Sequence, residues 1–358
     1  MPKVLFIASH RPNRSPSQRF RFEQYLGYLK NNGWDYDFSY LISEKEDTIF
    51  YKKGHFFRKI FIIAKAFFIR LKDVFNASKY DIIFIQREAF LTGTTFFEKR
   101  FSNSRARLIY DFDDSIWLSN VSDANAKWNW LKNPNKTKEI IALADLVFAG
   151  NAYLAAYAKK ANSNVVVVPT TIDTNEYQRI PRENKKICIG WSGSITTIQH
   201  FEYALPFLED LKNKYGDLIE IKVIGDKNYR NKELGIQGID WNKENEIKEL
   251  STFDIGIMPL PNDEWSSGKC GLKGLQYMAL EIPTIMSPVG VNTEIIKDGV
   301  NGFLAVNKQE WVDKISSLID SVDLREKIGE SGKETVLSNY SVEANKNNYL
   351  AFFNQLIQ

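Results

Sequence analysis

Short, continuously apolar runs alternate with longer helical patterns along the whole sequence. The runs VLFIA, IIFI and VVVV are typical of strands that helices cover on both faces. Alternation of strands and helices predicts parallel sheets connected by right-handed crossovers. The predicted strands are Val4–Ser9, Tyr36–Ile42, Ile82–Gln86, Arg107–Asp111, Leu146–Ala149, Val165–Pro169, Ile187–Trp191, Ile219–Ile224, Asp254–Leu260, Pro283–Ser287 and Phe303–Val306.

The predicted strands fall into two series, which indicates an α/β chain with two doubly wound Rossmann-like domains. The polar stretch from Pro181 to Lys186 separates the series and is typical of a linker. We therefore assign residues 1–172 to an N-terminal domain and residues 173–340 to a C-terminal domain. Ligands of open α/β sheets bind outside the carboxyl ends of the strands, so we expect a binding cleft where the two sets of strand ends face each other.

Cysteine and histidine usage restricts the chemistry. The two cysteines, Cys188 and Cys270, exclude a disulfide scaffold and favour a reducing, cytoplasmic location. The three histidines lie far apart in sequence, which disfavours a histidine–cysteine metal centre. No uncharged apolar run approaches the roughly 18 residues of a membrane-spanning helix, and the first apolar run is too short for a signal peptide.

Charge is distributed unevenly between the two halves of the chain. Residues 1–180 contain 27 Lys and Arg against 18 Asp and Glu, whereas residues 181–358 contain 20 against 26. The basic first half is expected to face something anionic, such as a membrane surface or a phosphorylated substrate. The alternative is ordinary solvated surface charge.

The most informative segment runs from Trp265 to Leu304 and predicts a loop, a helix, a buried strand and a second loop. The helix is predicted to begin at Cys270-Gly271-Leu272, after a flexible approach over Ser266-Ser267-Gly268. A helix N-terminus offers N–H groups and a positive dipole end, which suit a diphosphate. Lys269 adds a full positive charge there, and Lys273 lies one turn further on.

This segment resembles the C-terminal signature of the retaining glycosyltransferases of family four, the glycosyl transferases group 1. The resemblance implies the GT-B architecture, with two Rossmann-like domains facing each other across a cleft and residues 341–358 crossing back onto the N-terminal domain. It also implies a nucleotide-sugar donor, retention of configuration, no metal and no cofactor. The matching positions are Gly271-Leu272, Tyr277-Met278-Ala279, Pro283-Thr284-Ile285, Gly290, Glu294-Ile295-Ile296 and Asn301-Gly302-Phe303-Leu304.

The same resemblance assigns donor binding to the C-terminal domain. The two helix-loop glutamates of the family fall on Gly268 and Gln276, and its arginine–lysine phosphate clamp is replaced by the uncharged loop 190–197. Gln276 retains an acceptor for ribose hydroxyls, and Lys269 is expected to supply the charge that the clamp lacks. The assigned donor-binding residues are Gly193, Ser194, Thr197, Lys269, Cys270, Gly271, Leu272 and Gln276.

Two polar segments of the N-terminal domain are candidates for catalysis and acceptor binding. Asp113 and Asp114 follow a strand, where they could orient an acceptor hydroxyl or stabilise an oxocarbenium-like transition state. The alternatives are capping of loop turns and, together with Asp111, a magnesium site, which the resemblance disfavours. Four arginines in the loop after the first strand could bind an acceptor phosphate or the donor diphosphate. We assign acceptor binding to Arg11, Arg14 and Arg19; the alternative is a solvated basic surface.

A basic amphipathic helix is predicted around residues 51–75. Seven Lys and Arg and no acidic residue lie between Lys52 and Lys72, and apolar residues recur at helical spacing. This pattern is typical of a helix lying on an anionic membrane surface; the alternative is an ordinary helix packed on its sheet. Nucleic-acid binding is disfavoured, because no nucleic-acid-binding motif accompanies the basic residues.

The resulting hypothesis is a cytoplasmic hexosyltransferase of surface polysaccharide synthesis, with a peripheral position on the inner face of the membrane as the expectation if the basic helix binds lipid. It would transfer a sugar from a nucleoside-diphosphate sugar to a glycan or lipid-linked acceptor. The alternative from another class is a catalytically degenerate protein of the same fold that acts as a binding or assembly subunit, because Gly268 replaces a glutamate. A sugar-nucleotide epimerase is less favoured, because the acids and histidines that it needs cannot be placed.

Overall fold

The computed structural model describes residues 1–52, 54–118, 133–181 and 186–358, which divide into two compact units. Unit 1 comprises Met1–Pro169 with Lys346–Gln358, and unit 2 comprises Thr170–Asn345. The central residues of the predicted linker, 182–185, lie outside the described residues. Among the described helices, none is long and apolar enough to span a membrane.

Unit 1 is built on a six-stranded sheet in which each pair of neighbours is parallel. The strands are β1 (Lys3–His10), β2 (Asp35–Ile42), β3 (Ile82–Gln86), β4 (Arg107–Phe112), β5 (Leu146–Ala149) and β6 (Val165–Val167). Their order is β2-β1-β3-β4-β5-β6. Every residue of β3 is buried, as expected for a strand covered on both faces.

The connections of unit 1 are helical. They are α1 (Pro16–Arg19), α2 (Leu26–Asn31), α3 (Glu44–Phe50), α4 (Phe56–Phe75), α5 (Phe96–Ser102), α6 (Lys136–Leu143) and α7 (Ala152–Ala158). The pattern of residues 20–31, followed by Gly33 as a helix stop, predicts one helix. This prediction is wrong, because the segment forms a 3-10 turn and α2 instead. Phe20, Arg21 and Phe22 are all buried, and a regular helix that buries a single stripe cannot bury three consecutive side chains.

Unit 2 contains a five-stranded parallel sheet and a small hairpin. Its strands are β7 (Ile187–Ser192), β8 (Ile219–Ile224), β9 (Arg230–Asn231), β10 (Ile236–Gln237), β11 (Ile255–Met258), β12 (Thr284–Met286) and β13 (Phe303–Leu304). The large sheet has the order β13-β12-β11-β7-β8, and β9 pairs with β10. Each predicted strand is therefore observed, with ends displaced by at most two residues; the hairpin was not predicted.

The helices of the second half cover this sheet, and the last of them returns to unit 1. They are α8 (Ile198–Glu202), α9 (Leu205–Tyr215), α10 (Lys243–Leu250), α11 (Glu264–Ser267), α12 (Leu272–Ala279), α13 (Asn292–Ile295), α14 (Lys308–Asp320), α15 (Val322–Thr335) and α16 (Val342–Leu356). The approach to α12 was predicted to be flexible, which is wrong, since Ser266 and Ser267 belong to α11. Asp263 caps this helix by accepting a hydrogen bond from the Ser266 amide at 2.7 Å.

The C-terminal part of α16 is held in unit 1 by aromatic packing. The ring of Tyr349 stacks on that of Tyr25 with 4.1 Å between centroids. Phe353 contacts the rings of Phe6 and Phe84 on β1 and β3. Burial of these rings stabilises the position of the helix by removing large apolar surfaces from water.

Both large sheets have the same strand order, and this order locates the candidate sites. In each sheet the first strand lies between the second and the third. The connection from the first strand therefore runs to one side of it, and the connection that returns to the third strand runs to the other side. Ligands of such sheets bind at the carboxyl ends of the strands that flank this switch point. The relevant strands are β1 and β3 in unit 1 and β7 and β11 in unit 2.

Candidate functional site

The loop after β7 occupies the switch point of unit 2 and is held there by close backbone packing. The Gly193 amide donates to the Ile224 carbonyl at 2.8 Å. A Cβ atom at Gly225 would lie 2.4 Å from the Gly193 carbonyl oxygen, and one at Gly193 would lie 2.1 Å from the Trp191 ring. Glycine at both positions therefore allows the loops after β7 and β8 to touch.

The hydroxyl groups of this loop organise a short 3-10 turn, Ile195–Thr197. The Ser194 amide donates to Thr197 Oγ1 at 2.9 Å, and Ser194 Oγ lies 2.9 Å from Thr196 Oγ1. Ser194 is exposed. The structure thus brings the predicted Gly193, Ser194 and Thr197 together at the switch point, with hydroxyl groups that form a helix cap and present polar atoms to solvent.

Helix α12 begins at the same edge of the sheet and is fixed there by its tyrosine. The Tyr277 hydroxyl accepts a hydrogen bond from the Ser192 amide at 2.7 Å, at the end of β7. Gly271 precedes the helix with φ of +70°, and a Cβ atom there would lie 2.3 Å from Ile295 Cδ1. Because α12 is anchored in this way, its first-turn amides, which lack partners within the helix, lie at the switch point.

Two lysines stand at the start of α12. Lys269 Nζ lies 4.9 Å from the centre of the Trp265 ring, and Lys273 Nζ lies 5.5 Å from the centre of the Trp191 ring. Lys269 was predicted as a donor ligand, and the structure adds Lys273. Cys270 is buried, with its thiol directed to the Gly268 carbonyl at 3.8 Å, so its side chain serves packing and only its backbone can face a ligand.

The pKa of His200 is sensitive to the positive charges of this region. The pKa of His200 is lowered from 6.5 to about 4, first by burial and then by the charges of Lys273 and Lys269, with Asp263 acting in the opposite direction. The sequence did not predict that His200 lies near these lysines, because they are far apart along the chain. A buried, neutral histidine whose pKa is lowered further by two lysines indicates a positive potential in this region, which suits an anionic ligand.

His200 is expected to contribute a loss of stability between about pH 6.5 and pH 4. His10, whose pKa is also lowered to about 4, should contribute in the same direction. The unfolded chain takes up a proton near the ordinary histidine pKa, whereas the folded imidazole stays neutral down to about pH 4. The unfolded state therefore binds the proton first, and the free energy of unfolding decreases by up to about 3 kcal/mol over this range. Urea unfolding at about pH 7 and about pH 4.5 measures the decrease.

The matched variants for this measurement are His200→Asn and His55→Asn. The first should reduce the loss of stability on acidification, while the second should leave it as in the parent protein, because His55 is exposed. Asparagine tolerates the positive φ of 58° at position 55. Equal acid sensitivity of the parent and His200→Asn would contradict the assignment.

Gln276 lies in a buried polar cluster of unit 2. Its Nε2 donates to the Tyr177 hydroxyl at 2.8 Å and to Glu246 Oε1 at 3.2 Å. Tyr177 and Trp241 also donate to Glu246, at 2.6 and 2.8 Å. A glutamate at position 276 would place a second carboxylate beside Glu246, which explains the amide here. Gln276 is 5% exposed, and the predicted ribose contact would have to use its amide oxygen.

The switch point of unit 1 carries a second polar cluster around Arg87, which the sequence did not reveal. Arg87 follows β3 with φ of +62°, a strained backbone for this residue type. Its Nε donates to Asp113 Oδ1 at 2.7 Å, and its Nη2 lies 3.9 Å from Asp114 Oδ2. Asp114 also accepts from the Ser115 amide at 3.0 Å, as expected for a carboxylate in a loop turn. The catalytic role of the pair stays a prediction.

The predicted acceptor arginines separate into two groups. Arg11 and Arg14 both form ion pairs with Asp47, the former at 2.8 Å. Both contribute to lowering the pKa of His10 at the end of β1 to about 4, after burial. The alternative of a solvated basic surface is wrong for Arg19 and Arg21, which are both buried. Arg19 is 6% exposed, and its guanidinium lies 4.8 Å from the Phe20 ring centre. This burial removes Arg19 from the acceptor-binding set.

Arg21 pairs with Asp111 inside unit 1. Both side chains are at most 1% exposed, and Arg21 Nε lies 3.2 and 3.3 Å from the two carboxylate oxygens. Arg21 also donates to the Val168 carbonyl. Asp111, Asp113 and Asp114 are therefore all engaged by arginine, an arrangement that opposes the magnesium alternative on charge grounds.

Comparison with known proteins finds a family match in the second half of the chain. Residues 173–335 match the sequence profile of glycosyl transferases group 1. The chain is 25% identical over 207 residues to spore coat protein SA of Bacillus subtilis, covering 50% of this chain and 54% of that protein. It is 41% identical over 66 residues to an uncharacterized glycosyltransferase of Methanocaldococcus jannaschii, covering 18% of this chain and 19% of that protein. The matches thus span about half or less of these curated relatives.

Solved structures resemble the chain along its whole length. A glycosyltransferase from Rickettsia africae superposes with a TM-score of 0.70 at 14% identity, covering 100% of this chain and 99% of that one. The Anabaena protein HepE, solved in complex with UDP-glucose, gives a TM-score of 0.66 at 14% identity and covers 99% of each chain. These likenesses confirm the GT-B fold, and the profile match confirms the sequence resemblance within residues 173–335.

Proposed function

We propose that this chain, in which residues 173–335 carry the sequence of glycosyl transferases group 1, transfers a sugar from a nucleoside-diphosphate sugar to an acceptor hydroxyl. The observation that carries the proposal is the electropositive switch point of unit 2. Two lysines, a helix N-terminus and the hydroxyl-rich turn after β7 all lie there. Such a combination suits a diphosphate better than a neutral ligand.

The proposed role of the lysines is to hold the diphosphate and to stabilise it as a leaving group. Cleavage of the bond between the anomeric carbon and the phosphate oxygen leaves additional negative charge on the nucleoside diphosphate. Lys269 and Lys273 would oppose this charge more strongly in the transition state than in the bound donor, which accelerates the reaction. The backbone amides of Cys270, Gly271 and Leu272 would add hydrogen-bond donors.

The acceptor is assigned to unit 1. Arg11 and Arg14 near the end of β1 would bind an anionic part of the acceptor, since guanidinium groups suit phosphates and carboxylates. Asp113 or Asp114, positioned by Arg87, would orient the acceptor hydroxyl. The proposed acceptors are glycans and lipid-linked saccharides of a cytoplasmic route to surface polysaccharide, and the resemblance to retaining enzymes supports retention of the anomeric configuration.

Isothermal titration with UDP-, GDP-, ADP- and CDP-sugars tests the proposal. UDP-glucose is the first choice, because HepE was solved with that compound. We expect one of these donors to bind at one site and to yield free nucleoside diphosphate when acceptor glycans are added, with the product anomer determined by NMR. Absence of binding by every donor would exclude the proposed function.

A second function, donor binding without transfer, is favoured by two observations at the donor site. Gly268 replaces a family glutamate and has no side chain, and the amide nitrogen of Gln276 is committed to Tyr177 and Glu246. The protein would then act as a binding or assembly subunit. A donor that binds in the titration but is neither hydrolysed nor transferred to any tested acceptor would support this alternative.

A further inference from the structure

Helix α4 presents a stripe of aromatic side chains to solvent. Phe57, Phe61, Phe68 and Phe75 are 84%, 71%, 67% and 78% exposed. Their spacing of four, seven and seven residues places them on one side of the helix. Large exposed apolar stripes are rare on water-facing surfaces and mark a surface that binds something.

The opposite face of α4 is firmly packed in unit 1. Ile62, Ala66 and Arg70 are buried there, and Arg70 donates to the carbonyls of Ala8 and Ala89. The helix is therefore fixed by one face and cannot rotate to bury the aromatic stripe. This outward orientation of Phe57, Phe61 and Phe68 is the condition that the sequence-based membrane hypothesis required.

Basic residues border the aromatic stripe. Arg58 and Lys72 flank the stripe and are exposed, while Lys65 pairs with Glu46 of α3 at 2.7 Å. Lys59 lies on the packed side of the helix and donates to the Lys52 carbonyl. The acidic residue of α4, Asp73, forms an ion pair with Arg70 away from the stripe. A shallow groove of about 410 Å³ lies along the stripe, lined by Phe61, Ala64, Lys65, Phe68, Ile69 and Lys72.

We propose that α4 docks on an anionic phospholipid bilayer, with the rings of Phe57, Phe61 and Phe68 inserted among the acyl chains. The basic residues Arg58 and Lys72 would lie at the level of the headgroups, where they complement anionic lipid. The combination of inserted rings and flanking cations favours a bilayer over a protein partner, because a bilayer provides an apolar layer directly below a negatively charged layer. The proposal is independent of the transferase reaction, since its test uses no sugar.

Co-sedimentation of the full chain with vesicles tests this docking. Vesicles of phosphatidylglycerol and phosphatidylcholine should bind the protein at low salt, whereas pure phosphatidylcholine should bind it much more weakly. Replacing Arg58 and Lys72 by glutamine should lower the affinity about fivefold for each charge, roughly 25-fold in total. Serine at Phe57, Phe61 and Phe68 should lower it about tenfold for each ring, including at high salt.

The control variant replaces the exposed residues Leu218, Val306 and Val322 of unit 2 by serine, and it should bind vesicles like the parent. Thermal melting should show that all variants remain folded, because the altered side chains are exposed. Failure of the parent to sediment with anionic vesicles at low salt would overturn the proposal. So would a parent dimer that the phenylalanine substitutions convert to a monomer without any vesicle binding, since the stripe would then join two copies of the chain.

Discussion

Replacing Lys273 or Lys269 by alanine is expected to weaken the binding of UDP, or of whichever nucleoside diphosphate binds best, by about 1.5–3 kcal/mol. This corresponds to roughly 10- to 150-fold in the dissociation constant. Each lysine stands at the positive end of α12, and the two charges together contribute to lowering the pKa of His200. Such an accumulation of positive charge is unfavourable without an anion, so each substitution should cost affinity and little or no fold stability.

Isothermal titration of the parent and the two variants with UDP and with UMP checks this expectation. UMP should be affected less than UDP, because it offers fewer phosphate oxygens to the lysines. Lys308→Ala is a matched control, since Lys308 begins α14 and forms an exposed ion pair with Asp210 at 2.7 Å. Unchanged affinity for UDP in Lys269→Ala or in Lys273→Ala would remove that lysine from the donor site.

Strand positions could be predicted because a strand that is buried on both faces is a continuous run of apolar residues in the sequence. Strands β3, β5 and β8 have the predicted bounds, Ile82–Gln86, Leu146–Ala149 and Ile219–Ile224. Helices depend more on partners distant in sequence. The chain is not helical just before α2, because the side chains of Phe20, Arg21 and Phe22 are all buried in unit 1. Helix α11 is stabilised by the Asp263 cap, although its serines are typical of a loop.

The candidate sites could be predicted where one segment carries them. Lys269 and the start of α12 were found because one sequence segment contains both. His200 and Arg87 escaped prediction, because their relation to Lys273 and Asp113 exists only after the strands align at the switch points. The resemblance supplied Gln276 as a ribose ligand, but the local pattern could not show that Tyr177 and Glu246 engage its amide.

The ion pair between Arg21 and Asp111 is expected to produce the largest effect on stability. Arg21→Met should lower the free energy of unfolding by about 3–5 kcal/mol, because it leaves the Asp111 carboxylate buried without its counter-charge. Urea unfolding followed by circular dichroism measures the loss. Arg107→Met is the matched control, since Arg107 pairs with Asp145 at 2.9 Å but is 59% exposed; its loss should stay below about 1 kcal/mol.

The double variant Arg21→Met, Asp111→Asn and the pH dependence separate the lost charge pair from lost packing. Asparagine carries no charge, so the double variant should be more stable than Arg21→Met alone. Burial raises the pKa of Asp111, and Arg21 opposes that rise. Removing Arg21 should raise this pKa further above its value in the unfolded chain, so the folded variant binds a proton more readily than the unfolded one. The stability deficit of Arg21→Met should therefore shrink as the pH falls. A deficit that is independent of pH and unchanged by Asp111→Asn would instead assign the loss to the packing of the Arg21 side chain and its hydrogen bond to Val168.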